Sequence, residues 1–235
     1  TLAINSTPAE FLRAWGEPPA RELPGRVSDA HASYLTWSEP TPQQSRWVDM
    51  GAVIRELREA LPTNAILTNG AGNYSGWLHR FFRFRGFGTQ VAPTSGSMGY
   101  GLPAAIAAKL RHPDAPVVCL AGDGCFQMTA QELGTAVQSG ANVIVVVVDN
   151  GSYGTIRMHQ ERNYPRRVSA TELVNPDFAA LGAAYGLFTR RVEEDAAFGP
   201  ALSEALNAGR PALLHLRTDS EVLTPTVTVS ELRGD

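Results

Sequence analysis

Hydrophobic residues are spaced in two alternating ways from residue 46 onward. Stretches with apolar residues three or four positions apart, such as 47–62, predict amphipathic helices. Short runs with little polar interruption predict buried strands, and the run from Val143 to Val148 is the longest of them. Because the two kinds of stretch alternate along the chain, the pattern predicts an α/β fold, a parallel sheet flanked by helices on both faces.

Periodicity and turn residues together place the individual elements. The predicted strands are 65–68, 116–121, 142–150, 187–192 and 211–218. The predicted helices are 47–62, 73–84, 97–113, 129–140, 175–186 and 196–208. Ligands of parallel α/β sheets bind at the carboxyl ends of the strands, so the residues that follow each strand are the first candidates for function.

The first 45 residues lack this alternation. Residues 1–15 predict a short strand followed by a helix that is capped near Ser6 or Thr7. Residues 16–45 are rich in Pro, Ser and Glu and show no steady period, which predicts a linker. We therefore expect the tail of a preceding central domain at 1–15, a linker at 16–45, and one large domain at 46–235, cut from a longer protein.

Charge and cysteine content exclude several classes of partner. The formal net charge is −3 and no block of Lys and Arg exceeds two residues, so we expect neither nucleic acid nor a membrane surface as partner. The apolar run from Val143 to Val148 is too short to cross a bilayer. Cys119 and Cys125 have no CxxC spacing, which favours a reduced, cytoplasmic environment.

One acidic and one amide residue follow two neighbouring strands. Asp123 lies in the turn Gly-Asp-Gly after the strand 116–121, and Asn150 ends the stretch 142–150. A carboxylate and an amide oxygen form a hard, all-oxygen site, which suits Mg²⁺ completed by ligand phosphates. The glycine turn leaves backbone N–H groups near a helix start, where phosphate binds well. The alternative is a plain turn in which Asp123 only caps a helix; the spacing favours a Mg²⁺-bridged diphosphate.

This spacing resembles the thiamine diphosphate-binding signature, which has Gly-Asp-Gly followed about 25 residues later by Asn-Asn. The chain reads Asp149-Asn150 at the pair, a departure at its first position. The resemblance implies three metal ligands: Asp123, Asn150 and the backbone carbonyl of Ser152. The first residue of the pair is not a ligand in the family, so Asp149 leaves this assignment intact.

A second motif is similar to acetolactate synthases. The stretch TSGSMGYGLPAAIAAK, residues 94–109, resembles the family segment whose Met supports the thiazolium ring and bends the cofactor. The resemblance gives this catalytic positioning role to Met98. It gives the carbonyl of Gly96 the contact with the 4′-amino group of the pyrimidine. Asn73 and Tyr74 stand where the family has Gln and His near the diphosphate.

The implied cofactor site also includes residues that flank these motifs. They are Gly122, Gly124, Cys125, Tyr153 and Gly154. In the bent cofactor, the 4′-imino group removes the proton from thiazolium C2, and the resulting ylid adds to a 2-oxo acid. The resemblance therefore implies the C-terminal part of an acetolactate synthase-like enzyme that decarboxylates 2-oxo acids and joins carbon units.

Several alternatives remain open. The enzyme could be a 2-oxo acid decarboxylase without carboligation, and His159, close to the Trp position of biosynthetic acetolactate synthases, argues against branched-chain biosynthesis. It could also be one subunit of a two-chain enzyme, or a non-catalytic subunit. A Rossmann domain is disfavoured because no G-x-G-x-x-G follows the first strand.

The resemblance also implies that the acid that activates the cofactor lies outside this chain. In the family, a glutamate on a separate pyrimidine-binding domain activates the cofactor, and we do not expect Glu132 to replace it. The chain alone should therefore be inactive. The family further implies a homodimer or homotetramer, and allows FAD in the full-length protein.

Overall fold

The computed structural model describes residues 3–17 and 25–234, in two compact units, Thr1–Trp37 and Ser38–Asp235. The first unit contains the helices α1 (Pro8–Trp15) and α2 (Arg26–Trp37). Thr7 caps α1: its hydroxyl accepts from the Glu10 amide, and the Glu10 carboxylate accepts from the Thr7 amide at 2.9 Å. This capping box confirms the predicted helix start.

Two expectations for the first 45 residues differ from the structure. No strand is present at residues 3–5, and the rest of that predicted strand lies outside the described residues. Within the predicted linker 16–45, of which 18–24 also lie outside the described residues, the structure has α2. Sequence reasoning did not detect α2, because its stretch shows no steady hydrophobic period, and in the structure α2 buries no residue. The assignment of these residues to a preceding domain stays a prediction.

The second unit is built on a sheet of six parallel strands, which confirms the predicted α/β class. The strands are β1 (Ile66–Asn69), β2 (Gln90–Val91), β3 (Val117–Gly122), β4 (Ile144–Asp149), β5 (Phe188–Val192) and β6 (Ala212–Arg217). Their spatial order is β2-β1-β3-β4-β6-β5. β2 is two residues long, too short to show a hydrophobic period.

Helices connect the strands, and a short hairpin lies near the end of the chain. The helices are α3 (Met50–Ala60), α4 (Ser75–Phe81), α5 (Gly101–Arg111), α6 (Asp123–Gln127), α7 (Glu132–Gln138), α8 (Gly154–Asn163), α9 (Phe178–Ala184), α10 (Asp195–Leu206) and α11 (Val229–Arg233). The hairpin consists of β7 (Val222–Thr224) and β8 (Val227–Thr228). Hydrophobic periodicity did not predict α8, because Glu161 is its only buried residue.

Two hydrophobic cores cover the two faces of the sheet. Val146 and Val148 of β4 belong to one core together with Trp77 of α4. Val145 and Val147 belong to the other core, which includes residues of α7 and α9. Both faces of β4 are thus buried, which explains the continuous apolar run in the sequence.

The strand order brings the predicted site residues to one edge of the sheet. Gly122, the last residue of β3, pairs with Val148 of β4, so both strands end at the same level. The chain leaves β1 towards β2 on one side and leaves β3 towards β4 on the other. This change of direction opens a crevice beyond the strand ends, where α/β proteins bind ligands.

Candidate functional site

A cleft of about 100 Å³ opens at the carboxyl ends of β1, β3 and β4. Its walls come from the loop after β1, the turn that begins α6, and the loop between β4 and α8. All the predicted site residues except Gly96 line it: Asn73, Tyr74, Met98, Gly122, Asp123, Gly124, Cys125, Asn150, Ser152, Tyr153 and Gly154. Residues from four separate stretches of the sequence, at 73–74, 98, 122–125 and 150–154, therefore meet at one site.

Asp123 is the first residue of α6 and is almost completely buried. Its Oδ1 accepts from the Gly124 amide at 2.8 Å, and its Oδ2 accepts from the Gly151 amide at 2.9 Å and from Asn175 Nδ2 at 2.8 Å. Burial raises the pKa of Asp123 to about 6, and the nearby charge of Asp149 adds to the rise against these hydrogen bonds. The carboxylate is therefore incompletely compensated by the protein, as suits a ligand for a cation.

Asn150 and Ser152 belong to a tight loop after β4. The Ser152 amide donates to Asn150 Oδ1 at 3.0 Å, and the Gly154 amide donates to the carbonyl oxygen of Ser152 at 2.9 Å. Gly151 adopts φ +65°, a conformation that glycine tolerates best. This loop gathers an amide oxygen and a backbone carbonyl oxygen beside the cleft.

Asp149, which stands where the family signature has its first Asn, is buried, and its carboxylate forms hydrogen bonds with three groups. It accepts from the Gly151 amide at 3.0 Å and from Asn175 Nδ2 at 2.8 Å, and its Oδ2 lies 2.8 Å from His215 Nε2. Because a carboxylate only accepts, we assign the proton to the imidazole nitrogen. Burial alone would raise the pKa of Asp149, but the hydrogen bonds with His215 and Asn175 outweigh it and lower the pKa.

Sequence reasoning missed Asn175, although it connects the two carboxylates. It precedes α9 in the stretch Asn-Pro-Asp-Phe, which sequence reasoning used to place a helix and to support the family resemblance, but not as part of the site. Its amide group faces Asp123 and Asp149, which are 52 and 26 positions away in sequence. The only sequence signal was its position before a helix cap, which does not indicate this contact.

Tyr74 forms the floor of the cleft rather than an open polar group. Its hydroxyl lies 3.2 Å from Cys125 Sγ, and burial raises its pKa above the ordinary range. A Cβ atom on Gly122 would lie 2.7 Å from the Tyr74 ring, so glycine is required where the two pack. The predicted contact of Tyr74 with phosphate stays a prediction.

Asn73 connects the loop after β1 with the start of α8. Its backbone amide donates to Thr155 Oγ1 at 3.0 Å, and the Thr155 hydroxyl donates to the side-chain oxygen of Asn73, Oδ1, at 2.9 Å. Thr155 lines the cleft too and was not among the predicted residues. This pair closes one wall of the cleft.

The TSGSMGYGLP motif is only partly at the cleft. Met98 lines it and is partly exposed. Gly96 is exposed, does not line the cleft and has φ +69°. The predicted contact of its carbonyl with the cofactor stays a prediction.

Glu132 lies on α7, accepts from the Thr135 hydroxyl at 2.6 Å and does not line the cleft.

Among residues 3–17 and 25–234, no cluster of three or more His, Cys, Asp or Glu side chains could hold a metal. The predicted site is of another kind, with one carboxylate and two uncharged oxygens. Within the same residues, no helix is long and apolar enough to cross a membrane.

Comparison with protein families identifies the domain. Residues 70–216 match the model of the "Thiamine pyrophosphate enzyme, C-terminal TPP binding domain". The chain belongs to this family. The match includes every residue of the cleft and confirms the resemblance seen in the motifs.

Curated relatives are acetolactate synthases. The chain is 36% identical to acetolactate synthase of Arthrospira platensis over 198 residues, which is 83% of this chain and 33% of the relative. It is 32% identical to the large subunit of acetolactate synthase isozyme 2 of Escherichia coli K12, over 71% of this chain and 31% of the relative. It is 35% identical to the mitochondrial acetolactate synthase catalytic subunit of Saccharomyces cerevisiae, over 68% of this chain and 23% of the relative. The aligned part therefore spans only 23–33% of the length of these relatives.

Proposed function

We propose that this chain is the C-terminal cofactor-binding part of a thiamine diphosphate- and Mg²⁺-dependent enzyme that acts on 2-oxo acids. The proposed reaction is acetolactate synthase-like, a decarboxylation followed by carboligation. The observation that carries the proposal is the pair Asp123 and Asn150, which lines one cleft at the ends of adjacent parallel strands in a domain of this family.

The residues present fit a magnesium ion. A carboxylate has about four lone-pair positions, and the described hydrogen bonds of Asp123 use one on Oδ1 and two on Oδ2. One position on Oδ1 is thus left for a metal. Asn150 and the Ser152 carbonyl add neutral oxygens, which leaves room for diphosphate oxygens and water in an octahedron.

The backbone at the start of α6 fits a diphosphate. Gly122 and Gly124 flank Asp123 and line the cleft, so the main chain there can approach an anion closely. When bound, thiamine diphosphate supplies the electron sink for decarboxylation of a 2-oxo acid. Met98 would support the cofactor, while Tyr74 would form the floor of the cleft and Asn73 would hold one of its walls.

A partner domain is part of the proposal. Asp123 is the only acidic residue among the described residues that line the cleft, and its proposed role is to bind metal. The activating carboxylate would come from a pyrimidine-binding domain, in a homodimer or homotetramer of the full-length protein or on a second polypeptide. The expectations of FAD and of a cytoplasmic location stay predictions.

The test uses the full-length natural protein. Calorimetry should show thiamine diphosphate binding that depends on Mg²⁺, and this dependence should be lost in Asp123→Ala, because the only charged ligand is removed. Asp114→Ala, in an exposed loop, serves as the control. Unchanged Mg²⁺-dependent binding in Asp123→Ala would overturn the proposal.

Activity is tested separately with a panel of 2-oxo acids. Product analysis should show a carboligation product. If only the free aldehyde is released, the proposed carboligation is wrong, and the enzyme is a 2-oxo acid decarboxylase without carboligation.

A further inference from the structure

The segment Thr171–Asn175 runs alongside the loop that carries Asn150 and Ser152. Ser152 and Glu172 form an isolated antiparallel bridge. The Tyr153 amide donates to the Thr171 carbonyl at 2.9 Å, and the Leu173 amide donates to the Gly151 carbonyl at 2.8 Å. The 171–175 segment therefore holds the backbone of the loop from one side.

The side chain of Asn175 reaches from the end of this segment to both buried carboxylates. Its Nδ2 lies 2.8 Å from Asp123 Oδ2 and 2.8 Å from Asp149 Oδ1, and an amide nitrogen carries two hydrogens, one for each. Gln127 Nε2 donates to Asn175 Oδ1 at 3.0 Å. This last bond fixes which end of the Asn175 amide faces the carboxylates.

The Gly151 amide completes the arrangement. It is 2.9 Å from Asp123 Oδ2 and 3.0 Å from Asp149 Oδ1, so it faces the same two oxygens as Asn175. Two donors thus hold together the carboxylates that end β3 and β4. Because Oδ2 of Asp123 is fully used by them, Oδ1 is the oxygen left for another partner.

We propose that Asn175 is a positioning residue for the metal site of this domain: it holds the Asp123 carboxylate and, through Asp149 and the 171–175 segment, the Asn150–Ser152 loop. The inference rests on the proposed function. Asn175 does not bind the metal itself. Groups that orient metal ligands typically change metal affinity by 10- to 100-fold when they are removed.

The test compares Asn175→Leu with Asn142→Leu in the full-length protein. Leu has nearly the shape of Asn but donates no hydrogen bond. Asn142 is exposed and donates to the Gly209 carbonyl, outside the cleft, so it is the matched control. Calorimetry measures thiamine diphosphate binding at increasing concentrations of Mg²⁺ or Ca²⁺.

Asn175→Leu should raise the Mg²⁺ concentration for half-saturation by about 10-fold or more, with the control unchanged. The shift should be smaller for Ca²⁺, because Ca²⁺ tolerates irregular coordination better than Mg²⁺. A merely structural role would lower the folded fraction without changing the ratio of the two affinities. Gln127→Met, which removes the orienting donor at an exposed position, should give a smaller shift in the same direction.

Failure of this inference can be told apart from failure of the proposed function. If Asp123→Ala loses Mg²⁺-dependent binding while Asn175→Leu and Gln127→Met keep the wild-type Mg²⁺ dependence, the positioning role is wrong and the proposed function stands. If the wild type shows no Mg²⁺-dependent binding, both are wrong. An equal shift for Mg²⁺ and Ca²⁺ would also contradict the positioning role.

Discussion

Single residues of the cleft would contribute to cofactor binding in two different ways. Asp123 is buried and hydrogen-bonded, with one lone pair left on Oδ1, so its contribution is electrostatic. Met98 is partly exposed and presents an unbranched thioether to the same cleft, so its contribution is shape. Substitutions at the two positions should therefore affect different steps.

Met98→Ala should lower kcat more than it lowers the affinity for thiamine diphosphate. The substitution leaves the proposed metal and diphosphate ligands in place, while a misplacement of the reacting atoms by about 1 Å can cost on the order of 10²-fold in rate. Steady-state rates and a cofactor titration on the full-length protein give the comparison. Met128→Ala is the control, because Met128 is also exposed but does not line the cleft. An unaffected rate with collapsed cofactor binding would show that Met98 anchors the cofactor instead.

Gly122→Ala should destabilise the domain by about 1–3 kcal/mol, the usual cost of overpacking. The new Cβ atom would lie 2.7 Å from the Tyr74 ring, which is buried and cannot move aside freely. Chemical denaturation of the full-length protein measures the change. Gly134→Ala on α7 is the control, since its Cβ would meet the nearest atom, on Tyr185, at an ordinary 3.4 Å. Adding Tyr74→Leu to Gly122→Ala should recover part of the loss; no recovery would contradict the steric explanation.

At the scale of elements, α8 is attached to α11 by a buried ion pair. The Glu161 carboxylate is fully buried and accepts from Arg233 Nη2 at 2.6 Å and from Arg157 Nε at 3.1 Å. The hydrogen bond from Arg233 is the main reason that the pKa of Glu161 falls to about 2. Because α8 begins at Gly154 in the cleft, this ion pair links the end of the chain to the wall of the site.

Glu161→Gln should loosen α11. A hydrogen bond to a charged group contributes about 2 kcal/mol, which corresponds to roughly 30-fold faster local opening. Hydrogen exchange at residues 229–233 of the full-length protein measures it. Glu204→Gln, which removes an exposed partner of Arg190, is the control and should leave α11 unchanged.

The same pair predicts a pH dependence. The folded-state pKa of Glu161 is depressed, so its stabilisation is fully present above the pKa of the unfolded chain, near 4.5. It is lost as the pH falls from there through about 2. The difference in exchange between the wild type and Glu161→Gln should shrink over this interval. A constant difference down to pH 2 would exclude the ion pair as its cause.

At the scale of the whole molecule, the cleft has one acidic side chain, that of Asp123, among the described residues that line it. The proposed metal ligands are Asp123, Asn150 and Ser152, and no second acid among the described residues lines the cleft. The chain aligns with at most a third of the length of the acetolactate synthases compared above. A complete site would therefore need a further domain.

Residues 1–235 alone should not turn over a 2-oxo acid, even with added thiamine diphosphate and Mg²⁺. The full-length natural protein should be active under the same conditions. Circular dichroism of the isolated chain, with the expected helix content, is the control for folding. Decarboxylation by the folded chain alone would show that the activating carboxylate lies within these residues.

The sequence by itself determined the α/β class, five of the six strands of the sheet, and the strand ends beside which the candidate site residues lie. The apolar runs of β3 and β4 were readable because strands buried on both faces have little polar interruption. Asp123 and Asn150 follow those strands directly, so their meeting at one edge followed from parallel pairing. The family resemblance added Met98, whose motif is local and continuous in sequence.

Only the tertiary structure decided how the site is supported. Asn175, His215 and Thr155 act through contacts with residues between 26 and 82 positions away, and polar contacts over such distances leave no period in the sequence. The helix α2 was missed because its stretch shows no steady hydrophobic period, and α8 was missed because Glu161 is the only residue that it buries. Hydrophobic burial leaves a regular pattern along the chain, whereas the hydrogen bonds that orient a site depend on which loops the fold brings together.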